Sequence, residues 1–402
     1  SGGDLAGNAA LAPKAWLEGR EAGADLVALP EMFITGYNTQ DLVMKPAFHQ
    51  AAIAEVEALA AATAEGPALA IGSPWVEDGK LFNAYLILKG GKIASKCLKH
   101  HLPNETVFDE VRIFDAGPLG GPYSVGNTRI GSPICEDGWH EDVAETLEET
   151  GAEFLLIPNG SPYYRGKMET RYNHMVARAV ETGLPVIYLN MVGGQDDQVF
   201  DGGTFALNPH GALAVQMPVF AECIAQLDLE RTADGWRIKE GEKAHLPDAW
   251  EQDYRTMVLS LRDYMGKTGF RKVLLGLSGG IDSALVATGV PDAPPAARPS
   301  AAGRGAAGDA GPRRGRTAGP TDGDRGAGGR ARARHGRPDA RPPSRDPGVR
   351  DHRSRRGLPG RRALLLAHGP GGLDREGPRR RRTRPRVLRR REAPGRRRRG
   401  HR

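Results

Sequence analysis

From the start of the chain to about Glu230, short apolar runs alternate with Ala-rich amphipathic stretches, the order expected of an α/β layered fold. Leu26-Val27-Ala28-Leu29 is too short for a helix and stops at Pro30-Glu31, so it reads as a buried strand. The spacing then predicts a helix over Ala51 to Thr63 and a strand over Ala68-Leu69-Ala70-Ile71-Gly72. Residues 82–88 and 92–96 flank Gly90-Gly91 as a hairpin does. Arg129-Ile130-Gly131 and Ile134 lead as a strand into Cys135, and Phe154-Leu155-Leu156-Ile157-Pro158 repeats that strand-to-loop form. A helix over Glu169 to Thr182 precedes a strand over Pro185 to Asn190. Between Asp248 and Gly266, Tyr254, Met257, Leu261 and Tyr264 recur at helical spacing, which predicts a bridging helix. Residues 273–286 then read as a buried strand, a glycine turn and the start of a helix, the opening of a second domain.

Composition changes this picture after Val290. Residues 291–402 hold 33 Arg, no Lys and 10 acids, a net of +23, which leaves −16 on residues 1–290 although the whole chain is +7. The same segment contains no Phe, Tyr, Trp, Ile, Met, Asn, Gln or Cys, so it lacks the residues of an ordinary core. It reads in three ways: a disordered Arg/Gly/Pro tail, a nucleic-acid-binding arm with runs such as Arg396-Arg397-Arg398-Arg399, or GC-rich coding DNA translated out of frame. The third is favoured, because an electrostatic tail would accept Lys as readily as Arg. A specific nucleic-acid partner is not expected.

Cys97, Cys135 and Cys223 are an odd number at wide spacing, which suits a reducing cytoplasm better than a disulfide framework. Neither a signal pattern at Ser1-Gly2-Gly3-Asp4 nor an apolar run of roughly 18 residues is seen, so no membrane association is expected.

Three loop residues carry candidate chemistry. Cys135 sits in Gly131-Ser132-Pro133-Ile134-Cys135-Glu136-Asp137, a strand-to-turn elbow, while Glu31 ends one strand and Lys99 precedes His100-His101-Leu102-Pro103-Asn104. A nucleophilic thiol needs a base for its proton, and a reacting amide needs positive charge beside its developing oxyanion. Taken singly, each residue has a plain reading as filler, loop acid or solvated cation; the combination is what points to amide chemistry. His100 and His101 invite a metal reading, but neighbours on an extended segment point to opposite faces, so no metal site is expected.

With these stretches the chain resembles the nitrilase superfamily, and more closely the glutaminase half of the glutamine-dependent NAD synthetase family. The resemblance rests on Leu29-Pro30-Glu31-Met32-Phe33 with Thr35-Gly36-Tyr37, Lys99 to Asn104 with Val107-Phe108-Asp109-Glu110, and Ile134-Cys135-Glu136-Asp137. Asn159-Gly160-Ser161-Pro162 and Asn190 to Asp196 with Phe200-Asp201-Gly202 extend it. It implies a four-layer α-β-β-α sandwich in which Glu31 is general base and acid, Lys99 stabilises the oxyanion and Cys135 attacks the glutamine side-chain amide. It also implies that Ser161 and Lys167 bind glutamine and that Glu110 orients the amide and the lysine. Glu105 stands where the family usually has a tyrosine of the glutamine pocket, which puts a carboxylate near the substrate's own.

Leu277-Ser278-Gly279-Gly280-Ile281-Asp282-Ser283 after Gly276 resembles the ATP-pyrophosphatase signature. Small residues let backbone N–H groups approach phosphates, and a helix N-terminus favours negative charge. The resemblance implies ATP and Mg²⁺ at residues 276–283, with Asp282 toward the metal, in a Rossmann-like domain that amidates deamido-NAD. The expected organisation is a glutaminase domain over 1–240, a linker and bridging helix over 241–268, the start of the synthetase domain over 269–290 and the tail over 291–402. The family forms homo-oligomers; the sequence leaves the assembly of this chain open.

Overall fold

The computed structural model describes residues 1–293, 298–299 and 361–367, the last two segments as backbone strands. Two sheets face each other. The first runs Gly235–Ile238, Ile224–Thr232, Arg361–Ala367, Leu26–Ala28, Ala68–Glu77, Lys80–Lys89 and Lys92–Leu98 from edge to edge. The second runs Leu213–Gln216, Phe205–Leu207, Val186–Asn190, Phe154–Asn159, Thr128–Gly131 and Tyr123–Val125.

Period-two alternation builds the layers. Leu26, Ala28, Tyr85, Ile87, Ile130, Phe154, Leu156, Ile187 and Leu189 meet between the sheets. Their neighbours Val27, Leu69, Leu86 and Leu88 face the helices Ala12–Glu21 and Pro46–Ala62. On the other side, Leu155, Ile157, Val186 and Tyr188 face Glu141–Glu149 and Lys167–Thr182. Strands covered on both faces are continuous apolar runs, which is why Phe154-Leu155-Leu156-Ile157 shows no polar alternation. Each such side chain contributes roughly 1.5–3 kcal/mol by burial. The four-layer α-β-β-α order is as expected.

Several expectations need correction. The strand after Gly66-Pro67 continues to Glu77, past Ser73 and Pro74, because Lys80–Lys89 pairs with it throughout. The strand before the glycine turn is only Lys272–Val273 and is not buried: Leu274 is 74% and Leu277 70% exposed, and among the described residues its one strand partner is Arg298–Pro299. The helix Ile281–Gly289 buries none of its residues. Within the Arg-rich region, Arg361–Ala367 is a strand rather than structureless chain, parallel to Leu26–Ala28 and antiparallel to Ile224–Thr232. Ala363-Leu364-Leu365-Leu366-Ala367 is an apolar run of the kind an interior strand requires. The rest of the disordered-tail expectation lies outside the described residues.

The bridging helix is Ala249–Thr268, capped by Asp248, whose side chain accepts from Trp250 N and Glu251 N. It docks on the hairpin Val192–Gln195 and Gln198–Asp201 through Leu259 against Val192 and Val199 and through Asp263 accepting from Gly194 N at 2.7 Å. Among the described residues, no helix is long and apolar enough to cross a membrane.

A cavity of about 1290 Å³ lies between this helix and the sandwich, lined by Val192, Asp196, Glu222, Arg262, Asp263 and Lys267 among others. Burial first, then Asp263, pushes the Glu222 carboxyl from its ordinary 4.5 up to about 7. The folded state therefore prefers the protonated acid. That preference contributes fully below the unfolded value of 4.5 and is lost as pH rises to about 7. Glu222→Gln is expected to melt higher than the parent, by a margin that widens from about pH 4.5 to about pH 7 and is flat above it. Melting curves across that range check this; a margin independent of pH would refute it.

Candidate active site

The strands Leu26–Ala28, Thr128–Gly131, Phe154–Asn159 and Val186–Asn190 pair in parallel within their sheets, so the loops after them gather at one end. Lys92–Leu98 is two antiparallel steps from Ala68–Glu77 and so delivers Lys99 to the same end as Glu31. Sheet topology thus brings together Glu31, Lys99 and Cys135, which are far apart in sequence.

Glu31 and Lys99 are fully buried and Cys135 nearly so. Lys99 Nζ donates to Glu31 Oε1 at 2.8 Å and lies 2.8 Å from Glu110 Oε2. Asn83 Nδ2 donates to Glu31 Oε1 at 2.8 Å and to Glu110 Oε1 at 3.3 Å. Tyr37 Oη donates to Glu110 Oε1 at 2.8 Å, and Gly160 N donates to Glu31 Oε2 at 2.6 Å. One ammonium is therefore clamped between two carboxylates whose other lone pairs are held by neutral donors.

Two glycines make the clamp possible. A Cβ on Gly72 would stand 2.2 Å from Met32 N and 2.7 Å from Glu31 Cα, and one on Gly160 would stand 3.2 Å from Glu31 Oε2. Only bare backbone allows the loop carrying Glu31 to approach its neighbours this closely.

Cys135 opens a 3₁₀ turn, Cys135–Trp139, with φ +50°, a left-handed conformation that costs a non-glycine residue about 1–3 kcal/mol. Asp137 holds this elbow. Its Oδ2 accepts from Ile134 N at 3.0 Å, while Oδ1 accepts from His100 N at 3.0 Å and His101 N at 2.7 Å. The nucleophile turn and the segment after Lys99 are thereby fastened to one carboxylate.

The electrostatics assign roles. Burial opposes the charge of Lys99, yet Glu110 and Glu31 outweigh it and hold its pKa well above the usual lysine value. Burial and then Glu31 raise the Cys135 thiol well above its usual value, against the pull of Lys99. The resting nucleophile is therefore a neutral thiol whose proton needs an acceptor when it attacks, and Glu31 is the carboxylate that bears most on it. Burial raises Glu110 despite Lys99. Lys99 stays cationic throughout, as an oxyanion partner must.

Of the residues expected to hold substrate, Ser161 is buried, with Oγ accepting from Arg171 Nε at 3.2 Å and N donating to Asn190 Oδ1 at 2.9 Å. Lys167 opens the helix Lys167–Thr182, its Nζ 4.1 Å from the Trp139 ring centre and 4.7 Å from that of Tyr164. Burial, reinforced by Arg171, lowers its pKa, and it interacts electrostatically with Cys135. Glu105 lies exposed on the turn between Lys99 and Glu110, its carbonyl accepting from Phe108 N. Sequence reasoning missed Asn83, Asp137 and Arg171 as parts of the site; a polar Asn within the apolar run 82–88 was the available signal for the first. The premise against a histidine metal site also fails. The chain bends after Lys99, and the His100 and His101 rings lie edge to face with centroids 4.7 Å apart.

Residues 276–283 stand apart from this site. Ser278 Oγ lies 3.2 Å from Ser283 Oγ and accepts from Gly280 N at 3.3 Å, and Gly279 has φ +85°. The glycine turn is formed, but Leu277 and Ile281 on either side of it are exposed.

A family model described as carbon-nitrogen hydrolase matches residues 2–236, and one described as NAD synthase matches residues 253–293. A glutamine-dependent NAD(+) synthetase of Rhodobacter capsulatus is 57% identical over 291 residues, covering 72% of this chain and 53% of the relative. One from Xanthomonas campestris pv. campestris (strain 8004) is 38% identical over 280 residues, covering 66% and 48%. The solved structure of glutamine-dependent NAD+ synthetase from Acinetobacter baumannii in complex with adenosine diphosphate superposes with a TM-score of 0.68 at 31% identity, covering 74% of this chain and 56% of that one. The chain spans about half the length of the curated relatives it matches.

Proposed function

Because this chain belongs to the carbon-nitrogen hydrolase family, we propose that its triad hydrolyses the side-chain amide of glutamine to glutamate and ammonia. The observation that carries the reading is the buried Lys99 ammonium held at 2.8 Å from Glu31, with both groups acting electrostatically on the buried Cys135 thiol. Glu31 takes the Cys135 proton as Sγ attacks the amide carbon, and Lys99 Nζ neutralises the oxyanion. Glu31 then returns the proton to the departing nitrogen, which leaves as ammonia, and a thioester remains. Water activated by Glu31 attacks the thioester, releasing glutamate and restoring the thiol. Ser161, placed by Arg171 and Asn190, and Lys167 beside the nucleophile line the glutamine pocket; the Lys167 ammonium suits the substrate carboxylate. Glu110 and Asn83 position Glu31 and Lys99.

The released ammonia would supply the nitrogen for ATP-dependent amidation of deamido-NAD, the reaction that the resemblance of residues 276–283 implies, and the relatives are named glutamine-dependent NAD(+) synthetases. Gly276, Leu277, Ser278, Gly279, Gly280, Ile281, Asp282 and Ser283 would cradle the phosphates of ATP, and Asp282 offers one carboxylate to Mg²⁺, which when bound neutralises phosphate charge. The free thiols suit a cytoplasmic setting. The test is ammonia release from glutamine by the full chain, abolished by Cys135→Ala, assayed beside NAD formation from deamido-NAD and ATP. Glutamine hydrolysis is expected with little or no NAD formed, since the exposed glycine turn has nothing opposite it among the described residues. Hydrolysis of short aliphatic amides with none of glutamine would overturn the reading in favour of a stand-alone amidase.

A further inference from the structure

Just outside the triad, one ring nitrogen each of His100 and His101 and a carboxylate oxygen of Asp142 come within 4.8 Å of one another. We propose that these three side chains form a binding site for a divalent transition ion of the Zn²⁺ class, coupled to the triad through Asp137.

The donor set suits such an ion, for which imidazole and carboxylate are ordinary ligands at about 2.0–2.2 Å, a spacing within reach of small side-chain rotations. The tautomer of His100 is fixed by its partner. Its Nδ1 lies 2.7 Å from Gly117 O, and a carbonyl only accepts, so Nδ1 carries the proton and Nε2 keeps the lone pair a metal needs. A ligand histidine donating its other N–H to a backbone carbonyl is the usual supporting arrangement in metal sites. His101 Nε2 lies 2.8 and 3.0 Å from the two Asp142 oxygens, so an ion between them replaces a proton already shared there. The His140 ring stacks on His101 at 4.0 Å and limits its rotation. The His101 and Asp142 side chains are 27% and 45% exposed, which gives the ion a way in and leaves a position for water.

Coupling to the triad follows from the backbone. His100 is the residue after Lys99, and the N–H groups of His100 and His101 both donate to Asp137, which also holds Ile134 beside Cys135. An ion that draws the two imidazoles toward Asp142 pulls on the segment that sets Lys99 against Cys135.

Titrating the full chain with Co²⁺ tests the site without reference to any catalytic reading. One equivalent is expected to give visible d–d bands, with no sulfur charge-transfer band, in both the parent and Cys135→Ala. His101→Gln and Asp142→Asn should each weaken binding by roughly tenfold or more, on the scale found when partners of metal ligands are removed. Zn²⁺ should slow glutamine hydrolysis by the parent at concentrations that leave Asp142→Asn unaffected; this arm alone rests on the proposed function. Circular dichroism and thermal melts of the metal-free variants confirm that they fold. The proposal is overturned if no ion binds, if both variants bind like the parent, or if binding is lost in Cys135→Ala.

Discussion

Lys99→Met is expected to cut glutamine hydrolysis by at least about 10²–10³-fold, the range seen when an oxyanion donor is removed, and to destabilise the fold as well. Two effects are superposed. The developing oxyanion loses its cation, and Glu31 and Glu110 are left in a fully buried space with no counter-charge. Breaking a buried ion pair by removing one partner costs about 3–5 kcal/mol, because the charge left behind is uncompensated. The effects separate in Lys99→Met/Glu110→Gln. Removing the second carboxylate should restore part of the lost stability, since Asn83 can still serve Glu31, while hydrolysis stays at the level of the single variant. Denaturant melts and ammonia release of the parent, both single variants and the pair check this. Activity recovering together with stability would mean that Lys99 only balances charge.

Arg171→Met should have the largest effect on stability of any change outside the triad. Its guanidinium is wholly buried and forks onto Asp201 at 2.8 and 2.9 Å, while donating to Ser161 O at 2.8 Å and Ser161 Oγ at 3.2 Å. Burial opposes its charge, yet Asp201 outweighs burial and keeps its pKa above the ordinary arginine value. Losing the guanidinium orphans Asp201, for about 3–5 kcal/mol. In a domain of this size that lowers the melting temperature by roughly 6–20 °C. Arg171→Lys should rescue little, because one ammonium cannot fork onto Asp201 and reach Ser161 at the same time. If enough protein folds to assay, KM for glutamine should rise more than kcat falls, because on the proposed function Ser161 contacts substrate without taking part in bond making. Thermal melts with kinetics of both variants decide it; Arg171→Lys behaving like the parent would refute the account.

Much of this was legible in the residues. Runs such as Phe154-Leu155-Leu156-Ile157 announce strands covered on both faces, and Leu29-Pro30-Glu31 and Ile134-Cys135-Glu136 announce strand ends that turn abruptly. Local chemistry fixes these features, so they need no tertiary context. The small strands Val192–Gln195 and Phe205–Leu207 were not legible, because three or four residues with Gly or Ala among them carry no distinct period. The reading of Leu274 to Leu277 as buried strand failed for the complementary reason: an apolar run states a preference for burial, and only neighbours can satisfy it.

The sequence by itself determined the α/β class, the thiol, the carboxylate and the ammonium of the candidate triad, and the glycine turn at 276–283. Tertiary structure decided what those groups are worth. Sheet order set Lys99 between Glu31 and Glu110, 68 residues and 11 residues away along the chain; burial keeps the Cys135 thiol neutral, while the two carboxylates, against burial, keep Lys99 an ammonium. It also turned His100 and His101 toward one carboxylate against the rule for extended neighbours. Charge state and coordination depend on distance and solvent access, and neither exists until the sheets close.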